Sequence, residues 1–443
     1  MKKIISILLV LVLVCSFAFA DETAEEKIKK DFIADIKANE DIAFADSLAS
    51  FTPVNPKMMG MGGAGLAINS SLDALFTNPS VLGRGKVRIA IPSVTLSINH
   101  IYDLMKKDEN GNSAIENIEK MSSGDMKNSD VNTMMNLISS LIGSGKGKIA
   151  SFEASTGLIA NVFGVAANVS DTIRTFNGTI FDDLKVSTVA GLGFGFGGDE
   201  VKFTVGGSFK YNVNIFTRRM GLGDFQAMMN SDSNGNSGSA SDPKASSSEE
   251  NILSNIPLAV GYGMPLDFAV SLKYYGLSAT AVLTDVNLFG LGEYKYGILV
   301  PSDEMTSTSA TTFVKNLDKE SVFKFKPKMD LDLGIGYEGK LSIIGFKAAV
   351  DFVDLISLVR ELDGGYSAKN VLLNHTKAGA EISLFDMIKV RGGINSGYLT
   401  LGGSFNIGII TVDTAYYWEE LGSFAGHNGL DCMTIRFNLG WDN

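Results

Sequence analysis

The chain has 443 residues, 45% of them hydrophobic and 48 of them glycine, and it carries a formal net charge of −11 at pH 7. The negative charge argues against a nucleic-acid partner, because phosphate binding requires a basic surface. After residue 20 there is no apolar run of about eighteen residues or more, so no transmembrane helix is predicted. A β-barrel reconciles the high apolar and glycine content with this absence, because its lipid-facing residues are spread over many alternating segments.

Residues 1–20 have the pattern of a secretory signal peptide. Two lysines precede an apolar run, and an A-x-A cleavage site ends at Ala20. The alternative is a lipoprotein signal that uses Cys15, but the small residue normally found before a lipidated cysteine is missing. Cleavage lowers the number of basic residues from 38 to 36 against 49 acidic ones, so the mature net charge is about −13. It also leaves Cys432 as the single cysteine.

Residues 21–50 are rich in charge, and Ile28, Phe32 and Ile36 recur at a spacing of four, which predicts a short helical arm. We expect this acidic arm to lie in the periplasm. Residues 51–85 form a separate segment that is rich in glycine and methionine.

Within that segment, Gly60 to Gly65 match the pattern G-x-G-x-x-G, but the surroundings of a dinucleotide-binding loop are missing. Such a loop follows a hydrophobic strand and precedes an acidic residue about twenty positions further on. Here Pro53 and Pro56 obstruct a strand, and no acidic residue follows Asp73 until position 103. The sequence therefore predicts no nucleotide and no other cofactor.

From residue 86 to residue 443 the chain alternates between apolar and polar or small residues. From Met433 to Trp441, for example, every second residue is apolar. This period fits strands with lipid outside and a polar lumen inside. Fourteen such segments predict a fourteen-stranded antiparallel transmembrane β-barrel, which places the protein in the cell outer membrane.

The predicted connections alternate in length, as expected for a barrel whose first strand runs outward from the periplasm. Long links are predicted at 100–149, 171–184, 217–253, 285–321, 354–373 and 420–430, and short links near 161, 198–200, 264–265, 339–340, 386 and 408. The tight turn near 395–397 is the exception to this parity. We expect 100–149, 217–253 and 285–321 to be long extracellular loops.

Two features are predicted for the inner face of the barrel. Gly191, Gly193, Gly195 and Gly197 share one face of a strand, so another piece of backbone can approach closely there. Charges of both signs also fall on the inner face, since a basic residue facing lipid would cost about 2–4 kcal/mol at the bilayer midplane. These charges are Lys202, Lys210, Lys273, Asp330, Asp332, Lys347, Asp351, Glu381, Lys389, Arg391, Asp413 and Arg436. The sequence leaves open whether they select a solute or anchor a plug.

The sequence predicts no catalytic residues and no metal site, and hence no enzyme. The three histidines, His100, His375 and His427, are far apart and are expected at solvated strand ends or loops.

The stretch from Asn55 to Gly83 resembles the N-terminal signature of the FadL/TodX family of outer-membrane transporters for hydrophobic compounds. The match consists of Gly60, Gly62, Gly63 and Gly65, then Asp73, then Asn78-Pro79, with Ser80 where the family usually has alanine. Residues 391–422 are similar to the C-terminal strands of FadL-related proteins, including TraF-like proteins and a group common in spirochaetes.

The resemblance implies that residues 51–85 are a hatch that plugs a fourteen-stranded barrel. It further implies passive uptake of a hydrophobic small molecule, such as a long-chain fatty acid or similar lipid, when the hatch moves. Glycine accepts close backbone contact, and methionine adapts its shape to a ligand. The candidate ligand-binding or gating residues are Met58, Met59, Gly60, Met61, Gly62, Gly63, Gly65, Leu66, Leu75, Phe76, Asn78 and Pro79.

Two other functions remain open from the sequence. A structural or secretion-accessory barrel would dock a periplasmic protein partner through the acidic arm. A general porin would use the charged lumen but would leave the hatch without a purpose.

Overall fold

The computed structural model describes residues 30–34, 51–69, 71–105, 147–176, 178–224, 257–299, 317, 321–422 and 425–441. The predicted signal peptide, most of the predicted arm and much of the predicted long loops lie outside these residues. Within the described part of the chain, no helix is long and apolar enough to cross a membrane.

Strands dominate the described chain. They are β1 (Val87–Asn99), β2 (Gly147–Ala160), β3 (Phe163–Phe176), β4 (Thr179–Gly197), β5 (Val201–Thr217), β6 (Met220–Gly221), β7 (Leu258–Gly263), β8 (Leu266–Tyr274), β9 (Leu277–Val286), β10 (Tyr294–Leu299), β11 (Phe323–Phe325), β12 (Asp330–Leu341), β13 (Ile344–Phe352), β14 (Thr376–Leu384), β15 (Ile388–Asn395), β16 (Tyr398–Ile407), β17 (Ile410–Glu420) and β18 (Gly429–Trp441). The helices include α1 (Pro56–Met59), α2 (Ala74–Thr77), α3 (Ile101–Met105), α4 (Leu355–Asp363) and α5 (Ala368–His375), and two 3-10 helices span Pro79–Arg84 and Leu288–Gly290.

Antiparallel pairing closes the strands into a barrel, because β1 pairs with both β2 and β18. Strands β7 and β8 pair with β5 in one continuous register, from Thr217 opposite Leu258 to Val201 opposite Tyr274. They are therefore two halves of one barrel strand. In the same way β10 extends β9, and β11 extends β12, since β10 pairs with β7 and β11 while β9 pairs with β8 and β12. Counted this way, the barrel has the fourteen antiparallel strands predicted from the sequence.

The predicted turn at 264–265 is wrong. The chain passes through Met264-Pro265 without reversing, and the hairpin turn lies at Tyr275 and Gly276, both with positive φ. Proline lacks the N–H needed for the strand ladder, so the sequence there predicts a turn. The strand pairing is interrupted at these two residues, but the chain continues in the same direction.

Two predicted links also belong partly to the wall. Most of 171–184 lies in β3 and β4, which are joined by a tight turn, and 285–321 contains β10. Inward-facing polar residues such as Asp171 and Asp183 are buried in the lumen. Because of this polarity, the sequence of 171–184 resembles that of a loop.

The two ends of the barrel differ in their connections. At one end, which we call the short-turn end, the links at 161–162, 198–200, 275–276, 342–343, 385–387 and 408–409 contain no more than three residues. At the opposite, long-connection end lie the strand ends that flank residues 100–146 and 218–257, together with the helices α4 and α5. Among the described connections at this end, β3 and β4 are only two residues apart, and a tight turn lies at 396–397. The predicted alternation of long and short links therefore holds, and the short connection between β3 and β4 is an exception in addition to the predicted one near 395–397.

Side chains alternate between the lumen and the outside. Along β5, Thr204 and Lys210 are buried inside, whereas Phe203 and Phe209 are exposed on the outer surface. Outer apolar side chains such as Leu399 are up to about three quarters exposed, as expected for a surface that contacts lipid. Seven of the twelve predicted lumen charges are buried, which means that they contact other groups inside the barrel: Lys210, Asp330, Asp351, Glu381, Arg391, Asp413 and Arg436.

The described part of the predicted arm lies inside the long-connection end. Residues 30–34 form a helical turn, and Phe32 is buried in a cluster with Phe216 and Tyr296. Phe216 is near the long-connection end of β5. These five residues therefore contact the inside of the barrel through the apolar surface of the phenyl ring. The periplasmic location of the arm stays a prediction.

Candidate functional site

Residues 51–85, hereafter the hatch, lie within the lumen and are largely buried. Ala64, Ala67, Leu75 and Leu82 have no exposed surface. The segment contains only short helical turns, so its shape depends on side-chain capping and on contacts with the wall.

Two asparagine-proline pairs organise the hatch. The Asn55 side chain accepts a hydrogen bond from the Lys57 N–H at 3.0 Å and caps α1. The Asn78 side chain accepts from the Ser80 N–H at 3.2 Å and donates to the Leu66 carbonyl at 2.8 Å. Asn78 therefore caps the 3-10 helix and ties it to the first half of the hatch, which gives the Asn-Pro motif a structural role.

Arg84 closes the hatch on itself. Its guanidinium donates to the carbonyls of Ala67 at 2.7 Å and Asn69 at 3.1 Å. Burial lowers the pKa of Arg84 below its ordinary value, because removing a cation from water disfavours the charged form. The two carbonyl contacts compensate part of this loss of hydration.

One side of the barrel meets the hatch through bare glycines. We call this surface the glycine wall; it consists of Gly191, Gly193 and Gly195 of β4 and Gly206 of β5. A Cβ atom on Gly193 would lie 2.7 Å from the Leu82 Cβ, and one on Gly195 or Gly206 would overlap the backbone of Gly83 or Pro79. This confirms the predicted close approach of backbone to the period-two glycine face.

The opposite side also has close backbone contacts. A Cβ on Gly60 would lie 2.8 Å from the Gly402 Cα, and one on Gly393 would overlap Met61 and Gly62. Gly62 has a φ of 72°, which favours glycine. The G-x-G-x-x-G stretch is thus a strip that packs against β15 and β16, and a helical turn, not a strand, precedes it.

Polar side chains hold the hatch on this opposite side. Asp351 accepts the N–H groups of Gly65 and Leu66 at 2.7 and 2.8 Å. The Thr400 hydroxyl accepts from the Gly62 N–H at 2.8 Å and donates to the Gly60 carbonyl at 3.2 Å.

Arg436 provides a buried ion pair to the hatch. It forms a buried ion pair with Asp73 of the hatch and donates to the Val54 carbonyl. Glu153 accepts the Val54 N–H at 3.0 Å. We call Glu153, Asp351, Thr400 and Arg436 the polar wall. Two of the twelve lumen charges whose role the sequence left open, Asp351 and Arg436, therefore contact the hatch.

The structure does not bring the predicted hatch residues together on one apolar face. Met59 packs near Tyr417, Met61 packs with Ala349, and Leu66 packs with Val282. Leu75 and Phe76 form a separate cluster with inward-facing apolar residues of β1 to β4. The hatch therefore uses its apolar side chains to contact several parts of the wall.

A cavity of about 60 Å³ lies between the hatch and strands β13 to β15. Met58, Met61 and Ile68 contribute apolar surface, while Lys389, Arg391 and other charged residues contribute polar surface. Small-molecule sites in proteins usually measure about 300–1,000 Å³, so this cavity is too small for a lipid.

Two of the histidine predictions are wrong. His100 and His375 are buried, and His375 contacts the Val353 carbonyl at 2.8 Å through Nδ1. His100 lies between β1 and α3, and His375 is the last residue of α5, directly before β14. His427 is exposed. Within the described ranges, no group of three or more metal-ligating side chains was found.

The sequence did not single out several of the hatch contacts. Asp351 and Arg436 were assigned to the lumen by their period, but their partners were not. Thr400 was missed because a threonine on an inner strand face has no distinguishing local pattern, and Glu153 was missed although the period of two also places it inward. Only the spatial closeness of the hatch identifies them.

The described residues form a closed β-barrel whose lumen holds residues 51–85. No family model and no curated protein matches the chain. Among solved structures, it is similar to a Pseudomonas aeruginosa FadL homologue, with 11% identity, coverage of 89% of this chain and 100% of that chain, and a TM-score of 0.40.

Two further similar structures are the P. putida toluene transporter TodX and the CymD monoaromatic hydrocarbon channel. TodX has 10% identity, coverage of 88% of this chain and 98% of that chain, and a TM-score of 0.38. CymD has 10% identity, coverage of 89% and 99%, and a TM-score of 0.41. At these values the likeness is limited to the barrel as a whole.

Proposed function

We propose that the protein is an outer-membrane channel for passive, hatch-gated uptake of hydrophobic molecules such as long-chain fatty acids. The observation that carries this proposal is the hatch, which lies inside a closed barrel and leaves a neighbouring cavity of only about 60 Å³. A lipid-sized molecule requires several times this volume. Passage of such a molecule through this cavity therefore requires the hatch to move.

The outer surface supports the membrane location. Large apolar side chains such as Phe194, Leu272 and Ile382 are about half exposed or more on the outside of the barrel. An apolar outer band around a polar interior is the pattern of outer-membrane barrels, whereas contiguous apolar surface of this kind is rare on proteins in water.

The contacts of the hatch suit a gate that can open without unfolding the barrel. Strand pairing closes the barrel through β1 and β18 without any hatch residue. The polar wall holds the hatch by hydrogen bonds and one ion pair, and water can replace such contacts when a segment leaves its site. The hatch residues named from the sequence, from Met58 to Pro79, are accordingly proposed to act in gating, with ligand contact made when the hatch shifts.

A reversible lock on the hatch tests this proposal. A Cβ built on Gly336 lies 3.5 Å from the Ile68 Cβ, which is within the range of about 3.5–4.5 Å found in disulfides. In the double variant Ile68→Cys/Gly336→Cys, we expect oxidation to stop uptake of a fluorescent fatty acid into liposomes that contain the protein. A reducing agent should restore the uptake.

The two single-cysteine variants and the unmodified protein, treated with the same oxidant, serve as controls. If the oxidised double variant takes up the fatty acid as fast as the reduced one, hatch gating is excluded. A large and steady ion conductance that does not depend on the lock would instead favour the general porin.

A further inference from the structure

A second compartment lies at the long-connection end of the lumen and is lined by aromatic rings. It contains Tyr294 and Tyr296 of β10, Phe323 of β11 and Phe216 of β5, all of them buried. The rings of Tyr296 and Phe323 are stacked, with centroids 4.6 Å apart and planes inclined by 2°. Tyr294 is stacked on Tyr296 at 6.3 Å. We call these four rings the aromatic cage.

The two tyrosine rings lie flat against the neighbouring strand, because the residues that they contact there are glycines without side chains. Gly263 and Gly261 of β7 face them, and a Cβ on Gly263 would lie 2.6 Å from the Tyr294 ring, while one on Gly261 would overlap the Tyr296 ring. Any other residue at these two positions would push the rings into the lumen. The glycines therefore give the cage its depth.

The phenolic hydroxyls are also occupied. Asn212 donates to the Tyr294 hydroxyl at 2.6 Å, and Asn214 donates to the Tyr296 hydroxyl at 3.1 Å. Because β5 holds both hydroxyls and Phe323 is stacked on Tyr296, what the aromatic residues present to the inside of the cage is apolar ring surface. Such a surface favours apolar and aromatic groups.

One residue from outside the barrel wall fills this space. Phe32, on the helical turn at residues 30–34, is 1% exposed and meets the Phe216 ring edge to face, with centroids 6.3 Å apart and planes inclined by 75°. Its neighbours Lys30 and Asp31 are exposed. Within the described turn, the phenyl ring is thus the most deeply buried group.

We propose that the aromatic cage is a binding site for a neutral, ring-sized apolar molecule, and that Phe32 occupies it as a built-in competitor. The cage rests on rigid strands, its ring orientations are fixed by Gly261, Gly263 and two asparagines, and its present occupant is a phenyl group. Apolar cavities of ring size that lose their occupant bind small aromatic molecules such as benzene. Uptake of hydrophobic molecules would then begin with displacement of Phe32 at the long-connection end.

The test measures binding without transport, so that it does not depend on whether the proposed uptake function is correct. Naphthalene is the probe, and the protein is embedded in lipid nanodiscs, with empty nanodiscs as the blank. Phe32→Ala should bind naphthalene about tenfold to a hundredfold more tightly than the unmodified protein, the range that corresponds to burial of one phenylalanine side chain. The matched control is Asp31→Ala, an exposed position on the same turn, which should leave the affinity unchanged.

A second variant reports on the position of the ring itself. Phe32→Trp is made with Trp418 and Trp441 replaced by phenylalanine, so that the new indole is the sole indole in the chain. Its emission should be that of a buried indole and should shift to longer wavelength when naphthalene saturates the site. Heat-modifiable gel mobility verifies that the barrel is intact in each variant.

Equal naphthalene affinity for Phe32→Ala and Asp31→Ala overturns the proposal, and so does an indole whose emission does not respond to naphthalene. If the hatch lock fails to stop uptake while these binding results are obtained, the gating proposal is excluded and the proposed aromatic binding site is still supported. If uptake is gated but Phe32 does not compete with naphthalene, only the proposed aromatic binding site is excluded.

Discussion

The hatch is held by two surfaces that work by different physical means. The glycine wall on β4 and β5 contacts residues 79–83 mainly through shape, because its inner face carries no side chains over three alternate positions. The polar wall contacts residues 54–73 through named hydrogen bonds and an ion pair. The first surface tolerates no added volume, whereas the second tolerates no lost charge partner.

This difference has a consequence for movement. Close packing is lost steeply with distance, since a gap of even about 1 Å forfeits up to half of the contact energy. Hydrogen bonds and ion pairs can be exchanged for contacts with water at a smaller net cost. We therefore expect residues 79–83 to remain docked on the glycine wall. Gly60 and Gly62 pack as closely against β15 and β16, so within residues 54–73 the parts held mainly by polar contacts, around Val54 and Asp73, are expected to shift first.

The largest expected effect is on the polar wall. Arg436→Met leaves the buried Asp73 carboxylate without its partner, and breaking a buried pair on one side costs about 3–5 kcal/mol. The apparent free energy of unfolding in detergent micelles should fall by this amount, and a protease should cleave the hatch faster. The double variant Arg436→Met/Asp73→Asn should recover most of the loss. A double variant as unstable as Arg436→Met alone would contradict the assigned pairing.

The next effect is on the glycine wall. Gly193→Ala places a methyl group 2.7 Å from the Leu82 Cβ, and overpacking of this kind costs about 1–3 kcal/mol. Gly198→Ala is the control, because its added Cβ meets nothing within 4 Å. Thermal unfolding should separate the two variants. If both melt at the same temperature, the hatch does not rest on this wall as described.

A smaller effect is expected at Asp351. Asp351→Asn keeps the shape of the side chain but removes the charge that strengthens its bonds to the Gly65 and Leu66 N–H groups. Charge-assisted hydrogen bonds are about twice as strong as neutral ones, which predicts a loss of about 1–2 kcal/mol. Asp386→Asn, in an exposed turn where Asp386 pairs with Lys340, should change the unfolding free energy little. Equal losses in the two variants would argue against hatch anchoring by Asp351.

The smallest effect should come from the polar contact near the glycine wall. Lys202 donates to the Arg84 carbonyl at 3.0 Å. If packing dominates there, Lys202→Met should lower the unfolding free energy by no more than about 1 kcal/mol and should leave protease cleavage of the hatch unchanged. A loss comparable to that of Arg436→Met would mean that both walls hold the hatch by charge.

The barrel could be predicted because each strand carries its own evidence. In β18 and β12 the side-chain period of two separates lipid from lumen, and this period is a local property of the sequence. The same reasoning located the glycines of β4. It failed at Pro265, where a residue that usually ends strands lies between β7 and β8, and at 171–184, where inward polar residues resemble a loop.

The contacts of the hatch could not be predicted in this way. Asp73 and Arg436 are 363 positions apart, and their pairing depends on closure of β1 against β18 and on the register between them. The interior position of Phe32 depends likewise on strands β5 and β10, which supply its neighbours.

Residue alternation was thus enough to predict the barrel, the inward direction of its charges and the bare inner face of β4, because alternation along a strand is set by backbone geometry alone. The side chains that bind the hatch, and the position of the described part of the N-terminal arm, became known from the folded structure. Those contacts join residues that are distant in sequence, and their positions are fixed only when all fourteen strands have closed.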